Sequence, residues 1–128
     1  MINVTCAIII IENKILVTQR SEIMKLPLKW EFPGGKLEEN ENEIECIKRE
    51  VKEEINIEID VLKKLSNVVH DYGVFEINLI PFVANYIKGS IELSEHKDYK
   101  LLDKSELKSL DWADADKPIV DEFLKLEL

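Results

Sequence analysis

The chain begins with two apolar blocks, separated by a short polar stretch, that together predict a β-hairpin. The first apolar run is Val4–Ile11, the polar turn has the sequence ENK, and the second run is Lys14–Gln19. Two runs of this length on either side of a short polar turn are typical of paired strands. We interpret residues 21–29 as a loop and Trp30–Phe32 as a short extended segment that ends at the following PGG sequence.

The spacing of apolar residues changes to that of a helix after residue 41. Ile44, Ile47, Val51 and Ile55 recur at intervals of three and four residues. Residues at these intervals share one face of an α-helix, so the pattern predicts an amphipathic helix from about Asn42 to Glu54. We expect these four apolar side chains to face the core.

The rest of the chain is rich in β-type patterns and ends in a helix. The predicted strands are Ile57–Val69, Phe75–Ile87, Ser90–Leu93 and Tyr99–Leu102. The predicted helical segments are Ser105–Leu110, with Ser105 as N-cap, and Lys117–Leu126, with Pro118 in its first turn. Strands that alternate irregularly with two or three helices indicate an α+β or α/β class, with a mixed sheet, in a single domain over residues 1–128.

Composition narrows the function classes. The 128 residues are 45% hydrophobic and 34% charged, which is typical of a globular protein, and the net charge of −9 disfavours binding to polymeric nucleic acid. A nucleotide ligand stays compatible with this charge, because bound cations can attract phosphate. The N-terminal apolar run is too short to span a bilayer, so we expect a cytoplasmic protein. Cys6 and Cys46 are expected to be buried thiols, although the sequence alone leaves a disulfide open.

The sequence REVKEEI concentrates negative charge on one edge of the predicted helix. Glu50, Glu53 and Glu54 lie three and four residues apart, where like charges repel each other. A hard divalent cation such as Mg²⁺, which prefers oxygen ligands and often binds substrate phosphates as well, would relieve this repulsion. We therefore predict a metal site with Mg²⁺, and Mn²⁺ as the alternative ion; a solvated acidic helix face is the other interpretation.

The segment GKLEENENEIECIKREVKEEINI, residues 35–57, resembles the signature of the Nudix hydrolase family. That signature has G, five residues, E, seven residues, R-E, an apolar residue, one residue, E-E, one residue, G and an apolar residue. Eight of its nine specified positions match this chain. The departure is Asn56, which stands where the family has glycine; asparagine also tolerates the left-handed backbone expected just beyond a helix.

The resemblance implies an α/β/α sandwich around a mixed sheet and hydrolysis of phosphoanhydride bonds. It implies that Glu50, Glu53 and Glu54 are catalytic and bind metal, with a further ligand from the carbonyl of Gly35 and another from Glu95 in the LSEHKDYKLL segment. Arg49 is expected to orient these glutamates and to tie the preceding loop to the helix by ion pairs. We also expect Gly34 and Gly35 to form a sharp turn.

Other segments resemble the MutT-like branch of that family, whose members hydrolyse nucleoside triphosphates. In WEFPGGK, Phe32 is expected to line the base pocket, with core packing as the alternative. In VTQR, Arg20 is expected to contact a phosphate or sugar, with a solvent-facing arginine as the alternative. Asp116 is expected to hydrogen-bond the base edge or else to N-cap the last helix. His96 is expected to pack or to cap its loop.

The resemblance therefore predicts a Mg²⁺-dependent enzyme that converts a nucleoside triphosphate and water to a nucleoside monophosphate and pyrophosphate. The expected substrate is 8-oxo-dGTP, in nucleotide-pool sanitation, with a cytidine triphosphate second. The alternatives are a hydrolase of a nucleotide sugar or ADP-ribose, and an inactive nucleotide-binding sensor. The expected partner is a small-molecule nucleotide, without polymeric nucleic acid or membrane, and the chain is expected to be a monomer or homodimer. The general base stays open among the glutamates of the site.

Overall fold

Eight strands form one mixed sheet in the computed structural model, which describes residues 1–126. The strands are β1 (Ile2–Ile11), β2 (Lys14–Gln19), β3 (Trp30–Glu31), β4 (Gly34–Lys36), β5 (Glu58–Lys64), β6 (Val68–Asp71), β7 (Glu76–Lys88) and β8 (Asp98–Leu102). The α-helices are α1 (Glu43–Ile55) and α2 (Lys117–Leu124), and two 3₁₀ segments cover Lys104–Ser109 and Asp114–Asp116. The predicted hairpin, the central helix and the last helix are all present.

Strand β1 is the centre of the sheet. It pairs in parallel with β7 and in antiparallel fashion with β2 and β4, which makes the sheet mixed. Because side chains alternate along a strand, Ala7 and Ile9 belong to the core under α1, whereas Cys6 and Ile8 belong to the core on the opposite face, beside α2. The two cores confirm the predicted α/β/α arrangement.

Helix α1 is fixed at both ends by asparagines. The side chain of Asn42 accepts a hydrogen bond from the backbone N–H of Glu45 at 2.8 Å, which caps the helix start. Asn56 adopts the left-handed conformation, with φ 64°, and its N–H donates to the carbonyl of Lys52. The prediction that asparagine replaces glycine in this backbone role is therefore confirmed.

The prediction that Ile44 faces the core is wrong. Its side chain is 45% exposed and lies in an open groove beside Leu62 of β5, which is also exposed. Ile47, Val51 and Ile55 are buried as predicted. Periodicity gives the direction of a side chain around the helix axis, but it does not say how far the sheet extends beneath the first turn.

The single long strand predicted for Ile57–Val69 is wrong, because the segment is divided into β5 and β6. Both strands pair in antiparallel fashion with β7, which is long enough to hold them one after the other. Between them, the N–H of Leu65 donates to the carbonyl of Pro81 at 2.9 Å. Two apolar patterns that share one face of a sheet are hard to separate from sequence when no glycine or proline lies between them.

Two further local predictions are corrected. Ser90–Leu93 forms no strand; instead, Glu92 N–H donates to the carbonyl of Ile55, which ties this segment to the end of α1. The 3₁₀ segment near residue 105 is capped by Asp103 rather than by Ser105, because Asp103 and Glu106 form a reciprocal capping box.

Two observations bear on the expectations from composition. Cys6 and Cys46 are both buried free thiols, as predicted. Within residues 1–126, neither α-helix has the length and apolar character needed to cross a bilayer.

The left-handed cap of α1 gives a first testable prediction. Asn56→Ala should lower the free energy of unfolding by about 1–2 kcal/mol, because a Cβ that lacks a polar side chain disfavours positive φ. Asn56→Gly should stay within about 0.5 kcal/mol of the wild type, since glycine adopts this conformation freely. Urea unfolding of the three proteins measures both effects, and equal stability of the alanine and glycine variants would contradict the assignment.

Candidate active site

Arg49 connects the acidic residues of α1 to the preceding segment. Its Nε and Nη2 donate to the carboxylate of Glu41 at 2.6 and 2.9 Å, and its Nη1 donates to Glu50 at 2.8 Å and to Glu53 at 3.1 Å. Nη2 also donates to the carbonyl of Lys36, at the end of β4. The predicted ion pairs that join the loop to the helix are therefore present.

The predicted metal-binding glutamates lie around one cleft. The cleft has a volume of about 200 Å³ and is lined by Glu50, Glu53, Glu54 and Glu95, together with Met24, Ser94 and His96. Glu95 reaches it because the N–H of Ser94 donates to the carbonyl of Glu54, and the N–H of Lys97 to that of Gln19. These two hydrogen bonds hold the loop between the end of α1 and β2.

The predicted sharp turn at Gly34 and Gly35 is wrong, because both residues belong to β4 and pair with β1. Glycine is required here for close approach. A Cβ on Gly34 would lie 1.9 Å from the carbonyl oxygen of Thr5, and a Cβ on Gly35 would lie 2.1 Å from the carboxylate of Glu50. Gly35 thus leaves the space that the Glu50 carboxylate occupies, and its own carbonyl accepts a hydrogen bond from the Thr5 hydroxyl.

Among the glutamates of the cleft, Glu54 has the surroundings that most favour a bound cation. Its Oε2 is buried without a hydrogen-bond partner, and burial raises the pKa of its carboxyl to about 8, although the nearby His96 opposes this rise. A bound divalent cation would supply the missing partner and favour the ionised form.

The carboxylates of the cleft do not converge on one point that a metal ion could occupy. Among residues 1–126, no three acidic, histidine or cysteine side chains converge closely enough to hold an ion. Arg49 hydrogen-bonds one carboxylate oxygen of Glu50 and one of Glu53. Metal binding therefore requires these side chains to turn. Four glutamates in one cleft, with Glu54 unpartnered, nevertheless fit a hard divalent ion such as Mg²⁺.

A second cavity adjoins the acidic cleft. It has a volume of about 370 Å³, and its wall includes the predicted site residues Arg20, Phe32, Gly35, Glu54 and Asp116. Glu54 and Met24 line both the cavity and the cleft, so the two spaces meet there. The fold therefore brings together every residue that the sequence nominated, in two connected groups.

Asp116 lines this cavity and is almost fully buried. Its Oδ2 accepts a hydrogen bond from the backbone N–H of Phe32 at 2.9 Å, and its side chain does not cap α2. Burial, assisted by the charge of Glu31, raises the pKa of Asp116 well above its ordinary value. The Phe32 ring packs against Trp112 with ring centroids 4.7 Å apart, so this phenylalanine belongs to the core and to the cavity wall at once.

Arg20, Glu31 and His96 form a hydrogen-bonded group between the cavity and the cleft. Arg20 Nη1 contacts both carboxylate oxygens of Glu31 at 2.9 and 3.1 Å, and His96 Nε2 lies 2.8 Å from Glu31 Oε2. Burial lowers the pKa of His96, but its hydrogen bond to Glu31 and the charge of Glu54 raise it overall. His96 is buried, as its predicted packing role requires.

Glu31, Met24 and Tyr72 are among the lining residues of this site that the sequence analysis did not predict. The sequence contained a clue to Glu31, since this residue belongs to the WEFPGGK segment and precedes Phe32. No sequence pattern pointed to Met24 or Tyr72, because they lie in loops whose approach to the cavity depends on the fold. The Tyr72 hydroxyl accepts a hydrogen bond from the N–H of Ala115 at 2.8 Å, which joins the β6–β7 loop to the segment that carries Asp116.

The two glycines of β4 offer a matched pair of variants. Gly34→Ala should lower the free energy of unfolding by about 3 kcal/mol, because the new methyl group meets backbone that has no space to move. Gly35→Ala should cost less than about 1 kcal/mol, since the Glu50 side chain can turn away, but it should weaken Mn²⁺ binding at least about tenfold. Thermal unfolding and calorimetric Mn²⁺ titration measure the two effects, and normal Mn²⁺ affinity in Gly35→Ala would contradict this role.

The raised pKa of Glu54 predicts a pH-dependent stability. In the unfolded chain a glutamate ionises near its ordinary pKa of about 4.3, whereas in the folded protein Glu54 keeps its proton until the pH nears 8. The contribution of Glu54 to the free energy of unfolding is therefore fully present below its pKa in the unfolded chain. It is lost as the pH rises through its pKa in the folded protein.

In EDTA, raising the pH from about 5 to about 8 should reduce the free energy of unfolding of the wild type by about 2 kcal/mol more than that of Glu54→Gln. The matched control is Glu53→Gln, whose side chain is 58% exposed and which should follow the wild type. Urea unfolding at several pH values measures the difference. Equal losses in wild type and Glu54→Gln would show that Glu54 is not buried as described.

Comparison with known proteins gives the same family as the site. Residues 1–123 match the family model described as the NUDIX domain. An 8-oxo-dGTP diphosphatase of Buchnera aphidicola is 32% identical over 97% of this chain and 94% of its own, and a CTP pyrophosphohydrolase of Escherichia coli is 30% identical over 98% and 93%. The solution structure of a MutT protein from methicillin-resistant Staphylococcus aureus has 43% identity and a TM-score of 0.77, covering 96% of this chain and 95% of that one.

The family match covers the whole site, from β1 to the last buried residue of α2. It includes the acidic cleft, the adjoining cavity and the glycines that let β4 approach β1 and Glu50 closely. The chain therefore belongs to the Nudix hydrolase family, whose members generally depend on a divalent metal ion.

Proposed function

We propose that this protein is a Mg²⁺-dependent nucleoside triphosphate pyrophosphohydrolase, which converts a nucleoside triphosphate and water to a nucleoside monophosphate and pyrophosphate. The observation that carries the proposal is the shared wall at Glu54 and Met24, where an acidic cleft meets a partly apolar cavity. A nucleotide has the same two-part character, with a charged phosphate chain on one side and a flat, partly apolar nucleoside on the other.

The cavity suits the nucleoside. Its volume of about 370 Å³ lies within the usual range for small-molecule sites, and its wall combines Phe32 and Tyr72 with the buried carboxyl of Asp116. Aromatic and aliphatic surfaces support stacking of a base, while a buried polar group discriminates between base edges by hydrogen bonding.

The cleft suits the phosphoanhydride. In the proposal, Glu50, Glu53, Glu54, Glu95 and the carbonyl of Gly35 hold the divalent ions. When bound, such ions polarise phosphoryl oxygens, lower the pKa of a bound water and stabilise the leaving phosphate. Arg49 offsets the repulsion between Glu50 and Glu53 through its ion pairs before an ion binds, and the two side chains turn from these contacts to bind the ion.

The reaction needs a proton acceptor for the attacking water. As the water oxygen bonds to phosphorus, one proton passes to a carboxylate of the cleft, the anhydride P–O bond breaks, and pyrophosphate leaves with the bonding electrons. The glutamates of the cleft are the candidates for this base, since all of them line the space where the water must lie.

The preferred substrate in the proposal is 8-oxo-dGTP, and the biological role is sanitation of the nucleotide pool. The relative from Buchnera aphidicola, which is named 8-oxo-dGTP diphosphatase, supports this choice. Asp116 supports it as well, because a carboxyl with a raised pKa can both donate and accept hydrogen bonds at a purine edge. A cytidine triphosphate is the second candidate, which the relative named CTP pyrophosphohydrolase supports.

The remaining parts of the proposal concern the context of the enzyme. A single domain over residues 1–128, a cytoplasmic location, a monomeric or homodimeric state and the absence of polymeric nucleic-acid partners all stay predictions from the sequence. The net charge of −9 supports the last of these, since it disfavours a long polyanionic ligand.

The direct test is pyrophosphate release with Mg²⁺ across a panel of 8-oxo-dGTP, dGTP, dCTP, CTP, ADP-ribose and a nucleotide sugar. We expect the highest kcat/KM for 8-oxo-dGTP. Glu53→Gln should lower kcat at least about a hundredfold, because it removes a charged metal ligand without a change in size. Asp116→Asn should reduce the preference between bases more than it reduces kcat.

The panel distinguishes the alternatives. A preference for CTP or dCTP would keep the chemistry and change the substrate to the second candidate. A preference for ADP-ribose or the nucleotide sugar would replace the triphosphate substrate with a nucleoside-diphosphate-linked one. No turnover of any compound, together with nucleotide binding, would refute the enzyme and leave the sensor.

A further inference from the structure

The cavity wall carries three basic side chains, Arg20, Lys25 and Lys36. Acidic side chains face the same space, and the adjoining cleft is lined by further glutamates. A bound nucleotide would bring several more negative charges into this region. Which of the three cations is available to a phosphate therefore matters for binding.

Arg20 is already engaged with groups of the protein. Its Nη1 donates to both oxygens of Glu31, and its Nε donates to the backbone carbonyl of Lys25. Only 19% of the Arg20 side chain is exposed, so its ion pair with Glu31 is largely shielded from solvent. The arginine holds Glu31 and the loop in place, and its charge is balanced by the carboxylate.

Lys25 has no such partner. Among the ion pairs formed within residues 1–126, none includes Lys25, whereas Lys29 of the same loop pairs with Asp111 at 2.8 Å. The Lys25 Nζ lies over the ring of Phe75, 4.7 Å from its centroid, at the cavity wall formed by the β6–β7 loop. An exposed cation–π contact is weak, so a phosphate oxygen can readily replace the ring.

The backbone that presents Lys25 is held in an unfavourable shape. Leu26 and Leu28 both have positive φ, at 53° and 64°, which disfavours a leucine side chain. Hydrogen bonds from Arg20 Nε to the Lys25 carbonyl and from Lys29 N–H to the Leu26 carbonyl maintain this shape. Strain of this kind persists where the surroundings enforce it, and it is common in ligand-binding segments.

The position of Lys25 along the cavity indicates which part of a nucleotide it would meet. The preceding residue, Met24, lines both the cavity and the acidic cleft, so Lys25 lies next to the passage between them. Lys36 also forms no ion pair within residues 1–126, but it lies on the β4 side, where its carbonyl accepts a hydrogen bond from Arg49. Of the two unpaired lysines of the cavity wall, Lys25 is the one that follows Met24 in the chain and so lies next to the junction of nucleoside and phosphate chain.

We propose that Lys25 is a further substrate-binding residue, whose ammonium group leaves the ring of Phe75 and binds an oxygen of the phosphate nearest the nucleoside. The inference rests on the proposed function, since it requires a nucleotide that extends from the cavity into the cleft. Arg20, which the sequence nominated for a phosphate or sugar contact, is then a positioning residue that fixes Glu31 and the carbonyl of Lys25.

The first test compares the kinetics of Lys25→Met, Lys25→Arg and Lys29→Met with those of the wild type. Lys25→Met keeps an unbranched side chain that is one atom shorter and removes its charge, and it should raise KM about tenfold with kcat within about threefold. Added salt should raise KM more in the wild type than in this variant. Lys25→Arg should restore most of the affinity, and the control Lys29→Met should behave as the wild type.

The second test measures binding in EDTA by calorimetry, with dGMP and deoxyguanosine and with CMP and cytidine. Lys25→Met should weaken monophosphate binding about tenfold and leave nucleoside binding unchanged, because only the monophosphates carry the group that Lys25 binds. An unchanged KM in Lys25→Met, or an equal loss of affinity for nucleoside and monophosphate, would overturn the inference. Absence of turnover in the wild type would count against the proposed function instead, and the EDTA titrations would still decide the role of Lys25.

Discussion

The charge balance around Arg49 is the interaction on which the active site depends. One guanidinium group hydrogen-bonds the carboxylates of Glu41, Glu50 and Glu53 and the carbonyl at the end of β4, and it also ion-pairs with Glu38 at 3.7 Å. The hydrogen bond to Arg49 is the main reason that the pKa of Glu41 falls to about 2. Without this cation, the glutamates would repel one another and the segment before α1 would lose its connection to the helix.

The same arrangement explains why the strand beside α1 contains two glycines. Strand β4 lies between β1 and the carboxylate edge of the helix, and a side chain at Gly35 would occupy the position of the Glu50 carboxylate. Close approach of the β4 backbone to the helix places Gly35 directly against the Glu50 carboxylate. Packing of the sheet and chemistry of the site are thus linked through two residues that have no side chain.

The site has two parts that are held by different elements. Helix α1 and the loop after β7 supply the acidic cleft, whereas the cavity is formed by β1, the loop after β2, the β6–β7 loop and the segment before α2. Glu31 lies between them, bonded to Arg20 on one side and to His96 on the other. This hydrogen-bonded group links the surroundings of the nucleoside to those of the metal-binding carboxylates, so a change in one part is expected to affect the other.

The sequence by itself determined the family, the amphipathic helix with its glutamates and the left-handed cap at Asn56. Each of these follows from local spacing, because helix periodicity, capping and a signature motif are properties of contiguous residues. The predicted ion pairs of Arg49 also came from this one segment, with the resemblance to guide them.

Only the tertiary structure decided the division of the Ile57–Val69 segment, the exposure of Ile44, the strand conformation of Gly34 and Gly35, and the pairing of Arg20 with Glu31. It also brought Met24, Lys25 and Tyr72 to the cavity. These features depend on which distant segments meet, how far the sheet extends and which charges find partners. No local pattern records that information, because it arises only when residues far apart in the chain come into contact.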